Sequence, residues 1–158
     1  MHNARIQFAP MIQDHFQKLS QMSHSVETVL GESLFGLVHN RVSQINGCAF
    51  CLDMDVKKAK IRGERELRMY HIAVWRDSHL FTDRERAALE WSEAVTQLGR
   101  EGVSDELYNK VQKHFTEQEL VHLTLGISVV NVWNRLNVAF RNPAGSADAY
   151  FGLDKAGL

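Results

Sequence analysis

The chain is poor in the residues that interrupt helices. Its 158 residues include two prolines, Pro10 and Pro143, and glycine is sparse between them. That scarcity argues against a turn-rich β architecture and for helices running most of the way between the prolines. Period-two alternation of apolar and polar residues is absent nearly everywhere, so the strand reading has little to rest on. No stretch of about 18 apolar residues exists, which excludes an expected membrane span. The opening segment, Met1-His2-Asn3-Ala4-Arg5-Ile6-Gln7, is polar and lacks the apolar core of a signal peptide, so a cytoplasmic location is expected. A formal net charge of −1 lacks the basic excess of a nucleic-acid binder. The local basic run Lys57, Lys58, Lys60, Arg62, Arg65 and Arg68 reads as a solvated helix face.

Cysteine is also scarce. There are two, Cys48 and Cys51, too close together to staple a small secreted scaffold. In a reducing compartment such a pair indicates redox chemistry or metal binding. A structural zinc site needs four ligands. No second Cys or His pair stands at ligand spacing, since His71 and His79, like His114 and His122, are eight apart. Neither metal nor cofactor is expected.

What the sequence does contain is helical periodicity, with apolar side chains recurring at three- and four-residue steps. Pro10 suits a helix start and leads into Met11 to Met22. A second helix follows over Glu32 to Gln44. Asn46-Gly47 breaks it, and a third runs from about Cys48 to Arg62, stopped at Gly63. Leu67 to Trp75 reads as a short helix. Thr82-Asp-Arg-Glu85 is a capping box opening a helix to about Leu98, and Ser104 caps another to about His114. Thr116-Glu-Gln-Glu119 is a second capping box, opening the longest helix, to about Arg141. From Leu120 to Val130 that helix is apolar on most of its circumference, which marks burial or a subunit interface. The expectation is an all-α fold of about six to seven helices in a single domain over 1–158. Its core spans about 10–145, and the Gly- and Ala-rich tail 146–158 is loosely held.

The informative segment is Asn46-Gly47-Cys48-Ala49-Phe50-Cys51. A CxxC pair in the first turn of a helix can close a small disulfide ring. The helix N-terminus carries partial positive charge and free N–H groups, both of which favour the reactive thiolate. Buried cysteines with no chemistry are the competing reading.

The wider segment, Val42-Ser43-Gln44-Ile45-Asn46-Gly47-Cys48-Ala49-Phe50-Cys51-Leu52-Asp53-Met54, resembles the alkylhydroperoxidase D-like proteins of the carboxymuconolactone decarboxylase superfamily. Ala73-Val74-Trp75-Arg76, Phe81-Thr82-Asp83-Arg84-Glu85-Arg86-Ala87-Ala88-Leu89 and Asn131 to Ala139, closing with Pro143-Ala144-Gly145, look like later parts of the same domain. The resemblance covers roughly 10 to 145. It implies an AhpD-like helical fold assembling into trimers or hexamers. It also implies a peroxidase whose substrate is a small hydroperoxide. Cys51 attacks the peroxide, Cys48 resolves the sulfenic acid as a disulfide, and a dithiol or thioredoxin-like protein reduces the pair.

The family's fuller motif places a Glu twelve residues before the first Cys and a His four residues after the second, as a proton relay. Here those positions hold Gly36 and Asp55. A carboxylate one helical turn from Cys51 disfavours the thiolate. Asp55 is nonetheless a candidate general base, though a weak one, with an ordinary pKa of about 3.9. His39, one turn beyond Gly36, is a candidate substitute, and Glu32 a more remote one. The peroxidase reading therefore has an alternative from another class, an oligomeric redox-sensing or interaction protein without turnover. Lactone decarboxylation, the chemistry of another branch, does not depend on a CxxC pair.

Overall fold

Thr82 and Thr116 each accept a backbone N–H from the residue three positions on, Glu85 and Glu119, whose carboxylates reach back to the threonine N–H. These reciprocal caps satisfy donors that a helix start leaves open, which fixes where two helices begin. Ser104 caps a third through the N–H of Leu107. In the structure, a computed structural model describing residues 3–158, the chain forms α1 (Gln13–Leu30), α2 (Glu32–Ile45), α3 (Ala49–Ile61), α4 (Glu66–His71), α5 (Asp83–Thr96), α6 (Asp105–Val111), α7 (Glu117–Phe140) and α8 (Asp148–Phe151). Short 3-10 turns occupy Ala9–Ile12, Ile72–Asp77 and Leu153–Ala156. No strand occurs among the described residues, and none of their helices is long and apolar enough to cross a membrane.

The all-α expectation holds, but among the described residues eight α-helices replace the expected six to seven. The eighth lies in the tail. The first helix also runs further than expected, past Met22 to Leu30. Ser23, His24 and Ser25 interrupt its apolar pattern without interrupting the helix, because Val26 beyond them is fully buried. The segment Leu67 to Trp75 is not one helix. It divides at Ile72, where α4 gives way to a 3-10 turn with Val74 outside helical dihedrals.

The main core lies where α1, α2, α5 and α7 meet. Val26, Phe35, Val38, Val42, Leu123, Ile127 and Val130 pack there almost without solvent contact. Gly126 sets how closely α7 approaches the others. A β-carbon at 126 would lie 2.6 Å from the Phe35 ring and 2.8 Å from Val26. A larger residue there would force an overpacking cost of about 1–3 kcal/mol. A second cluster, Leu37, Ile72, Trp75, Phe81 and Leu89, seals the other flank of α2. Over it, Glu93 of α5 accepts hydrogen bonds from Arg41 of α2 and from the Trp75 indole, and pairs with Arg76. Burial pushes the Glu93 carboxyl pKa up, yet the hydrogen bonds from Trp75, Arg76 and Arg41 outweigh it and hold the pKa below its ordinary value.

The C-terminal tail is not loose. Leu153 and Ala156 are buried, and the Leu153–Ala156 turn packs on α3. Lys57 fastens it. This side chain belongs to the basic run read as a solvated face, but it is only 6% exposed. Its ammonium lies 2.8 Å from Asp53 one turn back and 2.6 Å from Asp148 in α8. A buried lysine needs such partners, because an unpaired charge in the interior costs several kcal/mol. The hydrogen bonds it donates to Asp148 and Asp53 raise the Lys57 pKa from its ordinary value.

Two outcomes follow from these contacts. Asp148→Ala is expected to lower stability by about 1.5–3 kcal/mol, the range for a charged hydrogen bond, and to accelerate amide exchange over 148–156, as read by mass spectrometry. Unchanged exchange there would show that the tail docks without the ion pair. The Arg84 hydrogen bond, helped by the Thr116 cap, lowers the Glu119 pKa from 4.5 to about 2. A carboxyl with a depressed folded-state pKa gives stability that is full above its unfolded pKa and lost as pH falls through the folded value. Urea midpoints measured between pH 6 and pH 2 should therefore fall less steeply below pH 4.5 in Glu119→Gln than in the native chain.

Candidate functional site

The turn Asn46-Gly47 ends α2 and starts α3. Gly47 takes φ +65°, a left-handed conformation that glycine adopts without steric cost. The next residue, Cys48, caps α3 in the manner of a serine, its sulfur accepting the N–H of Cys51 at 3.2 Å. Cys48 and Cys51 form a disulfide, with α-carbons 5.3 Å apart. Both lie in the interior, at 1% and 3% exposure. The backbone N–H of Cys48 also bonds the Ser43 carbonyl at 3.0 Å, tying the cysteine turn to the last turn of α2.

Asp55 lies one helical turn beyond Cys51 and is 8% exposed. A buried carboxylate without partners would be strongly unfavourable. Its Oδ2 is met by His39 Nδ1 at 2.7 Å and accepts from the Ser43 hydroxyl at 3.3 Å. His39 is partly exposed, with 21% of its side-chain surface accessible. Reading the sequence treats His39 and Asp55 as separate candidates for one lost function. The structure joins them as a pair bridging α2 and α3. The carboxylate of Asp55 is thus partnered and does not stand alone beside the cysteine turn.

Gly36 is occupied in another sense. A β-carbon built there would lie 2.6 Å from a guanidinium nitrogen of Arg62, which lies across the space a side chain would fill. A glutamate at 36 would displace this arginine. The two positions where the resemblance implies Glu and His thus hold Gly36 and Asp55, and the carboxylate on α3 meets an imidazole on α2. Glu32 is exposed at the first position of α2 and lies outside this pair.

A polar seam continues from Asp55 along α7. Ser43 accepts from the Asn134 amide at 3.1 Å, and the Asn46 amide donates to Asn134 at 2.9 Å and Asn131 at 3.0 Å. Asn137 donates to the Cys51 sulfur at 3.6 Å. None of these asparagines was singled out from sequence as a site residue. Their signal is nonetheless there: Asn131, Asn134 and Asn137, three apart, draw one polar stripe down an otherwise apolar helix. No group of three or more His, Cys, Asp or Glu side chains is arranged to hold a metal ion among the described residues.

Comparison with known proteins agrees with this architecture. The family model described as "Carboxymuconolactone decarboxylase family" matches residues 10–94. The chain is 44% identical over 110 residues to the uncharacterized protein YdfG of Bacillus subtilis, covering 70% of this chain and 75% of that protein. Among solved structures, it is similar to ATU0492 of Agrobacterium tumefaciens, a protein of unknown function provisionally described as an antioxidant defence protein AhpD. That similarity has a TM-score of 0.84 at 35% identity and covers 90% of this chain and 98% of the other. An uncharacterized peroxidase-related protein from Silicibacter sp. TM1040 shares the fold, with a TM-score of 0.68 at 18% identity, covering 82% of this chain and 70% of that one. With its cysteine pair at the start of α3 and this helical frame around it, the chain belongs to the carboxymuconolactone decarboxylase family, in its AhpD-like form.

Proposed function

We propose that this protein is a thiol-dependent peroxidase that reduces small hydroperoxides through Cys51 and Cys48, with His39 and Asp55 as its proton relay. The observation carrying this reading is the 2.7 Å contact between His39 and Asp55 one turn from Cys51. It supplies an imidazole–carboxylate pair where the family's Glu and His are missing. The names of the A. tumefaciens and Silicibacter proteins agree with it.

The reaction starts from the reduced pair. The imidazole of His39, held by Asp55, takes the Cys51 proton. The resulting thiolate is favoured by the N-terminus of α3. It attacks the terminal peroxide oxygen, the O–O bond breaks, and Cys51 becomes a sulfenic acid. The alkoxide leaves with the proton returned from His39, as an alcohol. The Cys48 thiol condenses with the sulfenic acid, releasing water and closing the disulfide. An external dithiol, free or on a thioredoxin-like protein, reopens the bridge by exchange and is itself oxidised. The protein works as a single AhpD-like domain in the cytoplasm, in a homo-oligomer, a trimer or hexamer, and uses no metal or cofactor.

The test is hydroperoxide consumption with excess dithiol. The native protein is expected to turn over many times, and Cys51→Ser to lose consumption. His39→Ala and Asp55→Asn are each expected to lower kcat/KM by about 10²-fold, the lower end for a general acid–base group. Consumption unchanged in Cys51→Ser would sink the peroxidase reading. A native protein that oxidises once and never turns over with any dithiol would be a redox sensor instead.

A further inference from the structure

Asn137 lies in the last turn of α7, is 6% exposed, and uses every polar atom of its side chain. One amide N–H direction meets the Trp133 carbonyl at 2.9 Å and the other the Cys51 sulfur at 3.6 Å. Its amide oxygen accepts from the side-chain amide of Asn142 at 2.8 Å. This set fixes which end of the amide faces the cysteine. Turned over, the oxygen would confront the Trp133 carbonyl, and the NH2 group would confront the donor of Asn142.

The backbone makes the arrangement possible. Arg141 ends α7 at φ +55°, the left-handed conformation otherwise confined to glycines among the described residues. This reverses the chain so that the Asn142 N–H bonds the Asn137 carbonyl at 3.0 Å, bringing its side chain over that of Asn137. A non-glycine residue in this conformation costs on the order of 1 kcal/mol. Here the cost goes into aiming Asn142 at one buried amide.

We propose that Asn137 is a catalytic hydrogen-bond donor to the sulfur of Cys51, and that Asn142 is the positioning residue that orients it. This rests on the reading of Cys51 as the attacking thiol. A thiolate or sulfenate is a stronger acceptor than a thiol, so a fixed N–H aimed at the sulfur stabilises the anionic forms over the neutral one. The donor comes from α7, while the His39–Asp55 pair comes from α2 and α3. The sulfur is thereby served by separate groups for charge stabilisation and for proton transfer.

The test titrates Cys51 alone. In a Cys48→Ser background the serine hydroxyl keeps the cap on α3, and the Cys51 thiolate is followed by its absorbance at 240 nm against pH. Asn137→Ala is expected to raise the midpoint by about one to two pH units, the equivalent of one charge-assisted hydrogen bond. Asn137→Asp, nearly isosteric but carrying a negative charge, should raise it further. Asn142→Ala leaves Asn137 in place and should raise the midpoint by a smaller amount, which keeps the test decisive if a change at 137 prevents folding. Midpoints unmoved in the folded variants would overturn the proposal. No peroxide enters the titration, so its result stands apart from the peroxidase reading. A shifted midpoint without turnover refutes that reading alone, and turnover with an unmoved midpoint refutes the role of Asn137 alone.

Discussion

A carboxylate placed in the interior dictates what surrounds it. Asp55 lies one helical turn beyond Cys51, and its burial is tolerable only because His39 and Ser43 are aimed at it. Both come from α2, so satisfying Asp55 fixes the rotation and register of α2 against α3. That register brings the Ser43 carbonyl to the Cys48 N–H and the Ser43 hydroxyl to Asn134 of α7. The position of the disulfide among three helices thus follows from how one negative charge is accommodated. The apolar core holds these helices together, but hydrophobic burial is non-directional and does not select such a register by itself.

The contact between His39 and Asp55 shows why residues taken singly are a poor guide to a site. A glycine where a glutamate belongs and an aspartate where a histidine belongs read as two losses. In three dimensions Asp55 has a partner, because His39 faces it across the α2–α3 interface. Arg62 takes the space above Gly36.

Much of the fold was legible because its signals are local. Both capping boxes, the serine cap at 104 and the Asn46-Gly47 turn lie where short-range hydrogen bonding and glycine's tolerance of positive φ require. The expected start of α3 at the cysteines was also sound, since Cys48 is its cap. What escaped was decided by residues distant in the chain. Lys57 looked like one of a row of surface lysines, and only Asp148, 91 residues away, makes it a buried anchor. The tail looked loose because its glycines and alanines carry little local preference, whereas Leu153 and Ala156 have a surface waiting on α3. The continuation of α1 to Leu30 was hidden by three polar residues in a helix whose buried face resumes at Val26. At the site, His39 and Asp55 were each recognised, but their contact spans 16 residues and two helices. The asparagine stripe on α7 was visible as a pattern, yet its meaning depends on α3 standing opposite.

The near-complete enclosure of both sulfurs has a kinetic consequence. At 1% and 3% exposure, neither residue offers a reagent more than a sliver of surface. Contact with solutes then requires a transient opening, and the frequency of that opening caps every bimolecular reaction at the pair. Small and bulky reagents would share one ceiling at high concentration and diverge only below it. The disulfide is in this sense a clocked centre, whose maximal rate is written in the local stability of the segments that cover it rather than in the reactivity of sulfur.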